Sequence, residues 1–254
     1  MKIVQDKFSA AGHAVSAWEP YKHPYAVDLA NRVYAADGGT VRLPLPSSST
    51  FPSQPRNAAK ANPLRRQDIF ASLALSGEPA IPNISDLVNP NLPKRSVNEV
   101  WDIQLEKWNY QMEYLAKIRE FEAKTGRELD AIIAPITPTA AIRHNQFKYY
   151  GYATAINVLD FTSVVVPVTF ADKAVDVKTS DFKPLTEMDA TVQAECEFTL
   201  PLETLPFPGA NEVAFSDDPE VYHGAPAAVQ IIGRRLTEER IMAIAEELGR
   251  LLKQ

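Results

Sequence analysis

Three short apolar runs, each interrupted or followed by proline or glycine, constrain the fold of this chain most. They are LDAIIAP at 129–135, FTSVVVPV at 161–168 and AVQII at 228–232. Runs of this length with few polar residues are typical of strands that are buried on both faces. The sequence around them has helical spacing, so we expect an α/β fold with a mainly parallel or mixed central β-sheet flanked by helices.

A long amphipathic helix is predicted upstream of the first run. Ser96 and Glu99 form a Ser-x-x-Glu capping box at its start, and Thr125-Gly126 marks its end. We expect the apolar stripe of this helix to pack in the core rather than to bind a cofactor. The stripe consists of Val97, Trp101, Leu105, Trp108, Met112 and Leu115.

Shorter elements are predicted near both ends of the sequence. Residues 3–11 have helical spacing with Gly12 as a stop signal, and residues 14–18 alternate weakly, which predicts a short strand. A second helix is expected to begin near Pro24, and a final helix is expected to follow Thr237 as its N-cap.

Residues 41–67 form a stretch rich in proline and serine that cannot contribute to a core. The stretch has five prolines and no periodicity, and a structureless loop of this length is unusual in a compact domain. Its ends, Val41-Arg42 and Gln67, can be encoded by GTAAGA and CAG, which are plausible intron ends, and its 27 residues preserve the frame. We therefore hypothesise that 41–67 is a disordered insert arising from a translated intron.

Charge and hydropathy exclude several classes of partner. The net charge is -6 and the pI is near 5.3, without a basic face that could neutralise phosphates, so we expect no nucleic-acid partner. No apolar run approaches the roughly 20 residues that a membrane-spanning helix needs. The polar start at Met1 does not resemble a secretion signal, and Cys196 has no disulfide partner in the chain, which predicts a cytoplasmic protein.

The residues that usually bind metals or cofactors are not arranged for that role. The histidines His13, His23, His144 and His223 are scattered without ligand spacing, and no phosphate-binding motif occurs. We therefore expect neither a metal nor a cofactor.

Six segments carry a pattern that can be compared with known families. They are AGHAV at 11–15, SGEP at 76–79, LDAIIAPITP at 129–138, YATAINVLDF at 152–161, VVVPV at 164–168 and GAPAAVQIIGRRL at 224–236. In this order along the chain, they resemble the C-terminal part of the amidase-signature enzymes, most of all the fungal acetamidase branch. The resemblance covers nearly the whole chain apart from 41–67, and it implies that residues 1–254 are a partial amidase domain with an incomplete form of that fold.

The resemblance also implies a hydrolytic reaction, and it shows that the catalytic residues of the family are missing from this sequence. Members of this family hydrolyse small carboxamides to the carboxylate and ammonia with a Ser-Ser-Lys triad and a glycine-rich oxyanion loop, which lie in the N-terminal half of the family. No Gly-Gly-Ser-Ser-Gly run occurs here, so no catalytic residue is assigned. Because Met1 falls within a helical pattern, we expect a C-terminal fragment that is inactive alone, and a truncated gene model as its source.

Two alternatives to an inactive fragment remain open. The chain could be a non-catalytic binding or assembly module that pairs with a full-length amidase through an exposed sheet edge, which would also favour self-association or aggregation. It could instead be one half of a split amidase whose catalytic half is a separate chain.

The ends of the predicted strands provide the pocket candidates. Thr137 and Pro138 follow the first apolar run, and Tyr152, Ile156 and Asn157 precede the second, where loops line sites in α/β folds. The resembling branch usually has an aromatic residue where this chain has Ile156.

The third apolar run contains one polar residue and is bounded by glycines. Gln230 either satisfies neighbouring backbone groups within an apolar layer or faces the substrate pocket. Gly224 and Pro226 are expected to set the start of the strand, and Gly233 is expected to allow a tight turn into the last helix.

Overall fold

The computed structural model of the protein describes residues 1–38, 77, 93–140, 147, 149–176, 183–196 and 222–253. The insert predicted at 41–67 lies outside these residues and stays a prediction. In chain order the elements are α1 (Lys2–Ala10), α2 (His23–Tyr34), α3 (Val97–Thr125), β1 (Ile132–Pro135), α4 (Gly151–Leu159), β2 (Thr162–Phe170), α5 (Glu187–Cys196), β3 (Pro226–Gly233) and α6 (Glu238–Leu251).

Two compact units divide the chain, and each is described by itself. The first comprises Met1–Val27 and Tyr110–Gln254, and the second is Asp28–Asn109. The first unit contains the sheet and most of the helices.

The three predicted strands form one sheet in the order β1-β3-β2, and helices flank it, so the α/β class is confirmed. Both strand pairs are antiparallel, with Ile231 of β3 opposite Ile133 of β1 and Val164 of β2. A mainly parallel arrangement is therefore wrong for these three strands. Apolar runs report burial and not direction, and here β3 runs between two strands that both point the opposite way.

Burial differs between the strands. The C-terminal part of β3, from Val229 to Gly233, is buried on both faces as predicted, whereas burial along β2 alternates and Val165 is 51% exposed. The prediction that β2 is buried on both faces is wrong, because its second face has no cover within the described residues. Consecutive valines satisfy strand propensity whether or not both faces are covered.

One face of the sheet packs on α1 and α6 to form the core of the first unit. The buried residues of this core are Val4, Phe8, Val229, Ile231, Ile241, Leu248 and Leu251. The spacing of Ile241, Leu248 and Leu251 places them on one side of α6, as the sequence predicts. Thr237 occupies the N-cap position, although its hydroxyl donates back to the Arg234 carbonyl (2.7 Å) instead of capping the first turn.

The glycines around β3 have different roles. Gly224 has a positive φ of 80° just before the strand, which only glycine adopts freely. Gly233 is required for space, since a Cβ there would lie within 2.5 Å of the buried Ile241 side chain. The left-handed turn into α6 is formed by Leu236 instead, with φ 60°.

The long helix α3 is confirmed, but its buried side was predicted wrongly. Ile103, Tyr110, Tyr114 and Ile118 are buried, with relative exposures of 1–2%. The predicted core stripe is largely exposed, at 66% for Trp101, 58% for Leu105 and 56% for Trp108. Two sets of residues on this helix have helical spacing, and the sequence pattern favoured the set with the tryptophans over the set with the tyrosines.

The start of α3 and the second unit are held by polar contacts. The Ser96 amide donates to Glu99 Oε2 (2.7 Å) and the Glu99 amide donates to Ser96 Oγ (3.3 Å), which confirms the capping box. In the second unit, both terminal nitrogens of Arg32 donate to the Glu106 carboxylate at 2.8 and 2.6 Å. This paired contact joins α2 and α3.

Residues 14–18 do not form the predicted strand. They are irregular, and Trp18 packs edge-on against Phe121 with 5.4 Å between ring centroids. The weak alternation of apolar and polar residues over these five positions reflects side-chain packing on α3 and not pairing with another strand.

The close approach at Gly233 generates a stability prediction. Gly233→Ala is expected to lower the free energy of unfolding by about 1–3 kcal/mol, because the new methyl group must displace Ile241 in a packed core. Urea denaturation of the purified chain measures this change.

Gly249→Ala provides the matched control. Gly249 lies within α6 and a Cβ there meets nothing within 4 Å, so alanine is expected to leave stability unchanged or raise it by up to about 1 kcal/mol. Equal effects of the two substitutions would contradict the steric role of Gly233.

Candidate functional site

A cavity of about 1170 Å³ lies along one edge of β1 in the first unit. All residues from Arg127 to Pro135 line it. Residues of the elements that pack on the two faces of the sheet line it as well. Within the described residues β1 pairs with β3 alone, which leaves its other edge without a strand partner. Because residues on both faces of the sheet beside β1 line the cavity, the cavity lies on this unpaired side. The backbone groups of an unpaired edge can accept a further strand or a ligand.

The two walls of the cavity have different chemistry. One wall comes from α1 and α6 and includes Val4, Phe8 and Ile244. The other is rich in aromatic and polar side chains. That wall is lined by Trp18, His23, Tyr114, Phe121, Tyr152, Ile156 and Gln230.

Gln230 links three segments behind the second wall. Its side chain is 1% exposed, and its Nε2 group donates to the carbonyls of Pro135 (2.8 Å) and Tyr152 (3.2 Å). The Ser163 hydroxyl donates to its Oε1 atom at 3.3 Å. Of the two roles that the sequence left open, the first is confirmed, because Gln230 satisfies backbone carbonyls; its side chain also lines the cavity, and a role in a substrate pocket stays a prediction. Gln230 fixes the end of β1 against the first turn of α4.

A second polar cluster joins Trp18 and His23, the first residue of α2, to α3. Trp18 Nε1–H donates to the Tyr114 hydroxyl at 3.3 Å, and the same hydroxyl lies 3.3 Å from His23 Nε2. Burial lowers the pKa of His23, which favours the neutral ring, and a neutral Nε2 can accept the hydroxyl proton of Tyr114. Burial also raises the pKa of Tyr114, so this hydroxyl stays protonated and able to donate.

Charged residues lie near the start of β1. Arg240 of α6 binds Glu128 (3.0 Å) and also Asp130, and all three residues line the cavity. Arg234 binds Glu122, whose carboxylate also accepts the Leu129 amide at 2.9 Å. These contacts tie α6 and α3 to the segment that leads into β1.

The five predicted pocket residues are not brought together. Tyr152 and the buried Ile156 line the cavity, both from α4. Thr137, Pro138 and Asn157 are not part of its lining. The Thr137 hydroxyl donates to the Thr139 carbonyl in a local turn, and Asn157 is exposed near the end of α4.

Sequence reasoning missed Trp18, His23 and Tyr114. His23 was judged a scattered histidine, and Tyr114 lies between members of the stripe expected in the core. No short motif marks these residues, because Trp18 and Tyr114 are 96 positions apart. Only a three-dimensional arrangement could have identified them.

The cavity offers hydrogen-bonding groups and apolar walls but no Ser-Lys pair. Ser16 lines it, and no lysine does so among the residues described. The described part of the chain also holds no group of three or more histidine, cysteine or acidic residues that could bind a metal ion. The polar groups of the cavity can orient a small polar molecule by hydrogen bonds.

Comparisons with known proteins converge on one family. A model of the family described as Amidase matches residues 1–242. An acetamidase of Aspergillus oryzae is 54% identical over 252 residues, which cover 99% of this chain and 37% of that protein. An acetamidase of Emericella nidulans is 53% identical over 242 residues, which cover 95% of this chain and 35% of that protein. The chain thus spans little more than a third of these relatives.

A solved structure confirms the predicted fold. Fatty acid amide hydrolase superposes with a TM-score of 0.65 at 17% identity, and the match covers all of this chain and 36% of that one. Among the helices described, none has the length and apolar character required to cross a membrane.

The contacts of Gln230 generate a prediction. Gln230→Met keeps the volume but leaves the Pro135 and Tyr152 carbonyls without their donor, so the free energy of unfolding is expected to fall by about 1–3 kcal/mol. Urea denaturation measures the loss. Ser163→Ala, which removes only the hydrogen bond from an exposed serine, is the control and is expected to cost less than about 1 kcal/mol. A loss at Ser163 as large as that at Gln230 would contradict the linking role.

Burial of His23 generates a pH dependence. Its folded pKa lies below the ordinary 6.5, so the unfolded chain binds a proton first as the pH falls. His23 therefore does not lower the free energy of unfolding above about pH 7. Below that pH the free energy of unfolding falls, by at most about 1.4 kcal/mol per pH unit for one group. His23→Gln is expected to flatten the dependence of unfolding free energy on pH between 5 and 7. An unchanged slope in the variant would contradict this assignment.

Proposed function

Because this chain belongs to the amidase family, we propose that it provides the C-terminal part of an enzyme that hydrolyses small carboxamides to the carboxylate and ammonia, and that it does not catalyse this reaction alone. The observation that carries the proposal is the cavity beside β1, which has one apolar wall and one aromatic and polar wall but no Ser-Lys pair in the part of the chain described. A catalytic portion that contacts this edge would complete the site.

The geometry of β1 supports such completion. Among the described residues, Ile132–Pro135 pair with β3 alone, and α1, α6, Trp18 and Tyr114 line the cavity beside this strand. An added strand could hydrogen-bond to β1 and bury its side chains against both walls. Residues at the end of that strand would then face Tyr152 and Ile156.

The family resemblance indicates what the other portion supplies. It would contribute the nucleophilic serine, the relay serine, the lysine base and the amides of the oxyanion loop. In the completed site, we propose that Tyr152 and Ile156 contact the amide substrate and that Gln230 holds them in position. Thr137, Pro138 and Asn157 stay pocket predictions that depend on rearrangement of the turn after β1 or on the added portion.

The unpaired edge also favours a second candidate, a non-catalytic assembly module. In this case the chain would bind a complete amidase through β1 without forming a site. The two candidates differ in whether association with a catalytic portion creates activity.

Complementation tests the proposal. The 254-residue chain is co-expressed with the portion of the Aspergillus oryzae acetamidase that precedes its matched region, and ammonia release from acetamide is measured. Activity is expected only when both parts are present. The control is the same acetamidase portion with its nucleophilic serine replaced by alanine, which should associate without activity.

Each outcome separates the candidates. Hydrolysis by the chain alone would contradict the proposal. Stable association without any activity would favour the assembly module. Failure of the two folded parts to associate would contradict the first candidate, and failure to bind the complete acetamidase as well would contradict both.

A further inference from the structure

Leu236 combines two unfavourable features in the turn between β3 and α6. Its φ of 60° lies in the left-handed region, where the Cβ atom of a bulky residue is crowded by a neighbouring carbonyl oxygen. Its side chain is 86% exposed, so burial within the chain returns almost none of the stability that this strain costs. Glycine is the usual residue at such a turn position, because it adopts a positive φ without strain.

Local contacts compensate the other non-glycine residues that have a positive φ in the described part of the chain. Asp160 (φ 57°) ends α4, and its carboxylate binds Arg235 at 2.9 Å. Lys22 (φ 47°) binds the Glu113 carboxylate at 3.0 Å. The exposed hydrocarbon side chain of Leu236 has no such contact. A strained residue without local compensation indicates a contact with another polypeptide or ligand.

A small cleft lies beside Leu236 and indicates the chemistry of that contact. The cleft has a volume of about 150 Å³ and is lined by Arg235 and Thr237, the two neighbours of Leu236. Every charged side chain that lines it is already ion-paired within the chain. The exposed leucine and the cleft therefore suit apolar side chains of a partner better than a charged ligand. The apolar residues of the lining are Ile118, Leu129, Ala131, Ile132, Phe161 and Ile232.

The position of the cleft identifies the partner. Residues Glu128–Ile132, together with Ile232 and Arg240, line both this cleft and the large cavity beside β1. A polypeptide that occupies the cavity therefore also reaches the surface next to Leu236. The matched region covers 37% of the Aspergillus oryzae acetamidase, so most of that protein lies outside the match and is long enough to cover both surfaces.

We propose that Leu236 is an apolar anchor for the catalytic portion of the amidase. The inference rests on the proposed function, because it names a further contact of the same catalytic portion. That portion buries Leu236 in a recess of its own and places one apolar side chain in the cleft. The contact fixes the partner near the beginning of β1, whereas Tyr152 lies near the other end of this strand, where Gln230 links it to Pro135. Burial of the leucine on association offsets the strain of the turn.

Leu236→Gly tests the proposal because it is expected to act in opposite directions on the chain alone and on its complex. In the chain alone, glycine relieves the left-handed strain by more than the backbone entropy that it adds to the unfolded state. The urea midpoint is therefore expected to rise by about 0.3 M. A lower midpoint would overturn the proposal, since Leu236 would then stabilise the isolated fold.

Competition measures the effect on association. The 254-residue chain is co-expressed with a tagged form of the acetamidase portion that precedes the matched region, and the purified complex is incubated with an equal amount of free variant chain. Intact-mass analysis of the recaptured complex gives the ratio of parent to variant. Leu236→Gly is expected to bind at least about tenfold more weakly than the parent, because the anchor is lost. Leu236→Met keeps an apolar side chain of similar volume and is expected to bind within about threefold of the parent.

A matched control makes the result specific to the turn. Phe170 is 64% exposed and pairs with Pro226 at the opposite end of β3, so Phe170→Gln is expected to bind like the parent. Equal binding of Leu236→Gly and the parent would overturn this inference and leave the proposed function intact. Failure of the parent chain to associate would contradict the proposed function as well, so the two failures are distinguishable.

Discussion

The buried amide of Gln230 is the interaction on which the geometry of the first unit depends most. One side-chain nitrogen donates to Pro135 at the end of β1 and to Tyr152 in the first turn of α4, while the oxygen accepts from Ser163 of β2. A single group on the central strand therefore fixes both neighbouring strands and a helix. A hydrophobic residue in its place could fill the volume but could not satisfy two carbonyls that face the same buried space.

This arrangement explains how the layers around the sheet differ. The face that contains Val229 and Ile231 packs on α1 and α6 through a buried apolar cluster, and the Thr162 hydroxyl of β2 donates to Glu238 of α6 at 3.0 Å. The opposite face contains Gln230, and it is there that the polar contacts of Tyr114, His23 and Trp18 line the cavity. Alternation along one strand thus separates an apolar layer from a layer that contains buried polar groups, and both contribute a wall of the cavity. The relatives, of which the match covers little more than a third, have additional chain with which such a layer can be completed.

The sequence predicted where the helices and strands lie better than which elements pair or pack against one another. The strands, the long helix, its capping box and the final helix were predictable because each depends on residues close in sequence. Strand direction was not, since apolar runs are the same in either direction. The buried side of α3 was also missed, because tryptophans and tyrosines both occur at helical spacing and only tertiary contacts choose between them. For the same reason the cluster of Trp18, His23 and Tyr114 could not be predicted from the sequence. Tyr152 and Ile156 could be predicted to line a cavity because they lie next to a strand.

The central position of β3 in the sheet has a consequence for synthesis of the chain. β1 and β2 pair with β3 and not with each other, yet β3 is the last of these three strands to leave the ribosome, more than 50 residues after β2. Neither outer strand can find its sheet partner until almost all of the described chain has emerged. Pairings of such long sequence separation form slowly and leave strand edges open in the meantime. The nascent chain is therefore expected to depend on α3 and other local helices for early structure, and on chaperones to shield β1 and β2.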